Sequence, residues 1–184
     1  MTKETLRMQM LAGIITEGQY KEKLAENQSA EQAVSKALEM APKLEKSSEL
    51  DQLAQKVAND PNLLAQMEKA LQKGGITINE DESDLDPQDM KTLALNFANK
   101  EKPMNEDLDS ILGKEDKEGI QGGVSIASFV GGAGLGAALG KTILAILPAL
   151  SSIFAGPGIA GAIAGVGLYW LAKKVYQKMN KKQA

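Results

Sequence analysis

Apolar residues recur at helical spacing through the first two-thirds of the chain and then run almost without interruption. Leu63, Leu64, Met67 and Leu71 fall on one face of a helix, as do Leu50, Leu53 and Val57 before them. Nothing in residues 1–118 alternates with period two over more than Ile76-Thr77-Ile78. The pattern predicts an all-α protein. Short amphipathic N-terminal helices precede a C-terminal, glycine-rich hydrophobic helical hairpin.

Start and stop signals divide the front region. Leu6, Met10 and Leu11 are expected on one face of a first helix that ends at Gly13. Thr16 caps the next, with Gln19 three residues on to complete a capping box, and Ile15 and Tyr20 at the staple positions. Ser29 with Gln32 predicts a new helix reaching Met40, and Ser48 with Asp51 another. Asp60-Pro61 and Asp86-Pro87 each place a capping acid before a proline at the first helical position. The first of these helices stops at Gly74-Gly75, and a last short one spans about Asn105 to Leu112. Segments 41–48 and 99–106 read as linkers. Large side chains are few, with Tyr20 and Phe97 the only aromatics before residue 118, so a thin, loosely assembled core is expected.

The back third is different in kind. From Ile120 to Ala172 a single charge, Lys141, interrupts 52 uncharged residues. That length is enough for one or two membrane crossings, each of roughly 20 apolar residues. Ser128, Gly132, Gly136 and Gly140 are four residues apart, and Gly161 and Gly165 repeat the spacing, which puts small residues on a face that another backbone can approach. Gly156-Pro157-Gly158 marks one turn between the two arms, and Lys141, resting at the far interface, is the alternative turn position. Tyr169 and Trp170 then precede Lys173, Lys174, Lys178, Lys181 and Lys182, an order that fits a membrane–water boundary. The organisation expected is 1–27, a helical hairpin; 28–118, an acidic helical region; 119–172, a membrane-inserting or assembly segment; and 173–184, a basic tail.

Two stretches resemble known modules. Gly13-Ile14-Ile15-Thr16-Glu17, with Tyr20 and Lys21, looks like the SHOCT motif, carried here by Leu6, Met10, Leu11, Gly13, Ile15, Thr16, Tyr20 and Leu24. That family consists mostly of small oligomerisation or tethering elements, so the resemblance implies a docking role for residues 6–24. Similar leaders open structural proteins of marine tailed phages, which implies a virion origin as an alternative. Residues 124–172 resemble a glycine-zipper hairpin.

Charge and composition narrow the chemistry. All 24 acids lie in residues 1–118, giving that part −9, while residues 119–184 carry six Lys and no acid, for +6. With no Cys and no His, the chain has no thiolate nucleophile, zinc knuckle, Ser-His-Asp triad or imidazole switch. Glu80, Asp81, Glu82, Asp84, Asp86 and Asp89 do not meet the glycine and glutamate positions of a calcium loop and read as a solvated acidic segment. Gly140-Lys141-Thr142 resembles the end of a phosphate-binding loop, but Leu135 stands where the earlier glycine is required. No catalytic, metal or cofactor site is expected. Five Lys without Arg allow non-specific DNA contact but no sequence-specific reading.

The expectation is therefore a non-enzymatic membrane-associated protein that inserts and self-associates through its glycine-zipper hairpin. Its N-terminal helices would oligomerise or recruit a helical partner. Partners are a lipid bilayer and a second copy or helical protein, with both termini cytoplasmic. The alternative is a bacteriophage virion or ejection protein whose hydrophobic segment is buried in the particle or delivered to a host membrane.

Overall fold

A computed structural model describes residues 3–76, 85–99, 130, 134–147 and 158–183. Among them are seven helices and no strand: α1 (Lys3–Leu11), α2 (Glu17–Glu45), α3 (Ser48–Asn59), α4 (Pro61–Lys73), α5 (Pro87–Asn99), α6 (Leu135–Ile146) and α7 (Ile159–Gln183). The class is all-α.

The local signals explain most helix ends. Gly13 takes φ +70°, and the amides of Gly13 and Ile14 return to the carbonyls of Met10 and Gln9, closing α1 with a left-handed cap. Thr16 and Gln19 form both bonds of a capping box: the Gln19 amide donates to Thr16 Oγ1 at 3.2 Å and the Thr16 amide to Gln19 Oε1 at 2.9 Å. Asp60 accepts from the amides of Asn62 and Leu63 ahead of Pro61, and Gly75 at φ +86° ends α4.

Three expectations are corrected. Ser29 does not start a helix, because α2 continues through it for 29 residues to Glu45. Between Glu17 and Ala41 there is no proline, and the one glycine, Gly18, sits in the first turn. Nor is 41–48 a linker: α2 runs through Pro42 to Glu45, so the proline's missing amide falls in the last turn rather than mid-helix. The cap of α3 is Ser47 rather than Ser48, with the Leu50 amide donating to Ser47 Oγ at 3.1 Å. The expected helix at 105–112, the linker after residue 99, the acids at 80–84 and the turn residues 156 and 157 lie outside the described residues.

The architecture is a set of helices wrapped around α7. Residues 158–169 are all buried, and α7 packs against α2, α3, α4, α5 and α6. A helix that is apolar all round must be enclosed, and here the enclosure is the rest of the chain. α7 presents Ile163, Val166, Leu168 and Leu171 to neighbours that contribute short stripes: Leu50, Leu53, Ala54 and Val57 from α3, Leu93, Ala94, Phe97 and Ala98 from α5, and Leu135, Leu139 and Ile143 from α6. α2 contributes Ala30, Ala33, Ala37 and Ala41, whose small side chains keep its axis close to the centre. The thin front region is thus completed by side chains from the far end of the chain. The helix also runs past Lys173 to Gln183, so no break separates the apolar segment from the Lys-rich one.

Long-range bonds from side chains to backbone fix helix ends that lack local partners. The Leu135 amide at the start of α6, where Gly134 offers no capping side chain, donates to Gln66 Oε1 of α4 at 2.8 Å. Asn96 of α5 donates to the Gly74 carbonyl at 2.7 Å, and the Tyr169 hydroxyl donates to the Leu85 carbonyl at 3.3 Å. Each gives a partner to a backbone group, and that of Tyr169 is buried.

Candidate functional site

The two faces that sequence reasoning singles out for interaction lie on different parts of the molecule. The first is the N-terminal hairpin. Leu6 is buried beneath α1, which packs on α2, while Met10, Ile15, Tyr20 and Leu24 are half-buried. Leu11 is not on that face. It follows Leu6 by five residues, about 140° round the helix, and is 73 % exposed. Met8 at 64 % and Ile14 at 70 % stand out with it. These three, with Leu95 at 38 %, are the exposed large hydrophobic residues among those described. An apolar patch is therefore concentrated on α1 and the turn after it. Projection of Met8 and Leu11 onto a helical wheel is the signal that finds it in the sequence. Around it the charges are exposed and of both signs, including Glu17 and Lys21, which pair at 2.8 Å one turn apart. That pairing holds the Glu17 carboxyl below its ordinary range and raises the Lys21 ammonium.

The second face is on α7. Tyr169, expected at an interface, is instead interior. Trp170 is half-buried, with its ring 5.3 Å from that of Tyr169 and nearly perpendicular to it. The Lys173 ammonium lies over both rings, 5.7 Å from the Tyr169 centroid and 5.3 Å from the Trp170 centroid, and donates to the Tyr169 hydroxyl at 3.5 Å. Lys174 pairs with Asp51 of α3 at 2.8 Å, tying the Lys-bearing half of α7 to the bundle. The indole N–H of Trp170 is buried with no acceptor among the described residues.

Of the residues expected at helix packing positions, Ser128 and Gly132 lie outside the described residues. Gly136 and Gly140 are buried on α6. Gly161 and Gly165 face α5: a side chain at Gly161 would collide with the Phe97 carbonyl, and one at Gly165 would come 2.6 Å from the Leu93 carbonyl and the Ala94 amide nitrogen. Their partner is another helix of the same chain. Gly167, which the spacing does not single out, faces Ile143 and Leu139 of α6. Among the described residues no three acidic side chains gather as a metal cluster would require, and no helix is long and apolar enough to cross a membrane.

Tyr176, further along α7, is held neutral: burial first, and the charge of Glu68 second, push its hydroxyl up from an ordinary 10.0 to about 12. Because the folded value is the higher one, the unfolded chain releases its proton first. Stability is unaffected below pH 10 and falls as pH rises from there toward 12. Absorbance titration of the folded chain should show a tyrosine ionising near pH 12, and Tyr176→Phe should remove that step.

No protein-family model, curated protein or solved structure matches this chain.

Proposed function

We propose that the chain is a non-enzymatic helical assembly protein, in which the bundle around α7 is the scaffold and the N-terminal hairpin is the docking element. The observation that carries this reading is the clustering of Met8, Leu11 and Ile14, each more than three-fifths exposed, on a short element anchored by Leu6. Large apolar side chains grouped on a polar surface are the usual mark of a surface meant to be covered. The SHOCT-like sequence points the same way. The partner is a second copy or another helical protein. Light scattering and crosslinking of the full chain, beside Leu11→Ser with Ile14→Ser, test it. The wild type should associate and the variant should be monomeric with an unchanged melting temperature; equal masses and equal crosslinking would sink the self-association.

A second reading, membrane insertion of the glycine-rich segment, is supported by the 52 uncharged residues interrupted only by Lys141. It requires α7 to leave the bundle, since its apolar half is enclosed by the other helices. A virion protein that keeps the segment covered until delivery to a host membrane fits the same need. Flotation of the full chain with liposomes after an alkaline carbonate wash distinguishes these readings. Retention on the membrane supports insertion, and a protein that stays below leaves the segment as a scaffold element.

A further inference from the structure

The Lys-bearing half of α7 has two faces. At about 100° per residue, Trp170, Lys173, Lys174, Gln177, Lys178 and Lys181 fall within an arc of about 140°. Leu171, Ala172 and Val175 lie on the other side, buried in the core. Among the described residues only Lys174 of these four lysines has a carboxylate partner, Asp51. Lys173 is engaged with aromatic rings, and among the described residues Lys178 and Lys181 have no ion pair. Among the described residues one carboxylate, that of Asp51, is paired with the stripe, and the half-buried Trp170 stands at its N-terminal end with its indole N–H buried.

We propose that this stripe docks the folded bundle onto the surface of an anionic phospholipid bilayer, lying on it without insertion. The inference depends neither on the N-terminal hairpin nor on α7 leaving the core. A row of lysines on one helix face is drawn to the negative surface potential of acidic headgroups. Nucleic acid is the less favoured polyanion. The stripe has no Arg to grip phosphates in a fork, and Trp170 is no open stacking platform, because Lys173 covers it and Tyr169 stands against it.

Trp170 is the chain's one tryptophan, so its emission reports on this face directly. The full chain is mixed with vesicles of phosphatidylglycerol and phosphatidylcholine in equal parts, with vesicles of phosphatidylcholine alone, and with a short single-stranded DNA. Sedimentation and Trp170 emission are followed, for the wild type and for Lys178→Gln with Lys181→Gln. Binding should occur on the acidic vesicles only, weaken steeply with salt, and fall about thirtyfold in the variant, whose melting temperature is unchanged. Equal binding to neutral vesicles, or binding that the variant retains, overturns the proposal. Tighter binding to the DNA than to acidic vesicles, lost in the variant, assigns the stripe to nucleic acid and equally overturns it.

Discussion

A chain ending at Glu118 should show no cooperative thermal or urea transition, and its helicity per residue should fall well below that of the full protein. The truncation removes α6 and α7, and with α7 the surface against which α2, α3, α4 and α5 all pack. What is left are helices such as α3, α4 and α5, of 12 or 13 residues, a length that is marginal in water without tertiary support. Their stripes of Leu50, Val57, Met67, Leu71, Leu93 and Phe97 would lose the partner that hides them. The expected loss is the whole folding free energy, of order 5–15 kcal/mol for a domain. Circular dichroism with calorimetry checks it. A sharp transition in the shortened chain would mean that the front helices own a core, and that α7 only rests upon it.

The second large effect is expected from a single methyl group. Gly165→Ala should cost about 3 kcal/mol, a drop in melting temperature of roughly 10 °C for a chain of this size. The added carbon would meet α5 backbone at 2.6 Å, and backbone cannot rotate away as a side-chain tip can, so the two helices must move apart. Gly161→Ala, against the Phe97 carbonyl, should behave alike. Two controls separate this from an effect of glycine replacement in general. Gly167→Ala meets the flexible end of Ile143 and should cost less than about 1 kcal/mol. Gly18→Ala, with nothing nearer than Thr16 Oγ1 at 3.9 Å, should gain about 0.5–1 kcal/mol from helix propensity. Equal losses at 165 and 167 would refute the close approach of α5 to α7.

Those glycines also mark where reading the sequence stops. A four-residue spacing of small residues says that some backbone comes close; it cannot say whose. The same ambiguity governs all of residues 159–172. A helix apolar on every side needs an apolar surround, and lipid and protein satisfy that need equally at the level of sequence. Tyr169 illustrates the consequence: an aromatic before lysines reads as an interface residue, yet its hydroxyl finds the Leu85 carbonyl from across the bundle. Signals that act within one turn were easier to read. Asp60-Pro61 and Gly75 act on the backbone beside them, and α4 begins and ends there. Ser29 has the same appearance as a cap and fails, because a capping side chain can start a helix only where the preceding residues are not already helical. Leu11 fails as a core residue by its angle, which its apolar character conceals. The Gln66 bond to α6 was beyond reach, since a cap supplied from 69 residues away leaves no local trace other than the bare glycine it serves.

The central position of α7 has a consequence for the order of events when the protein is made. Synthesis proceeds from the N-terminus, at about 5–20 residues each second, so the helix that every other core stripe needs is the last of the seven to be built. Until then α2 to α5 can pack on one another only in part, α2 against α5 and α3 against α4, and the contacts that finish the fold join residues far apart in the chain. For several seconds each new molecule leaves the stripes that face α7 uncovered, and its safe passage depends on how quickly the final helix arrives and on what shields those stripes meanwhile.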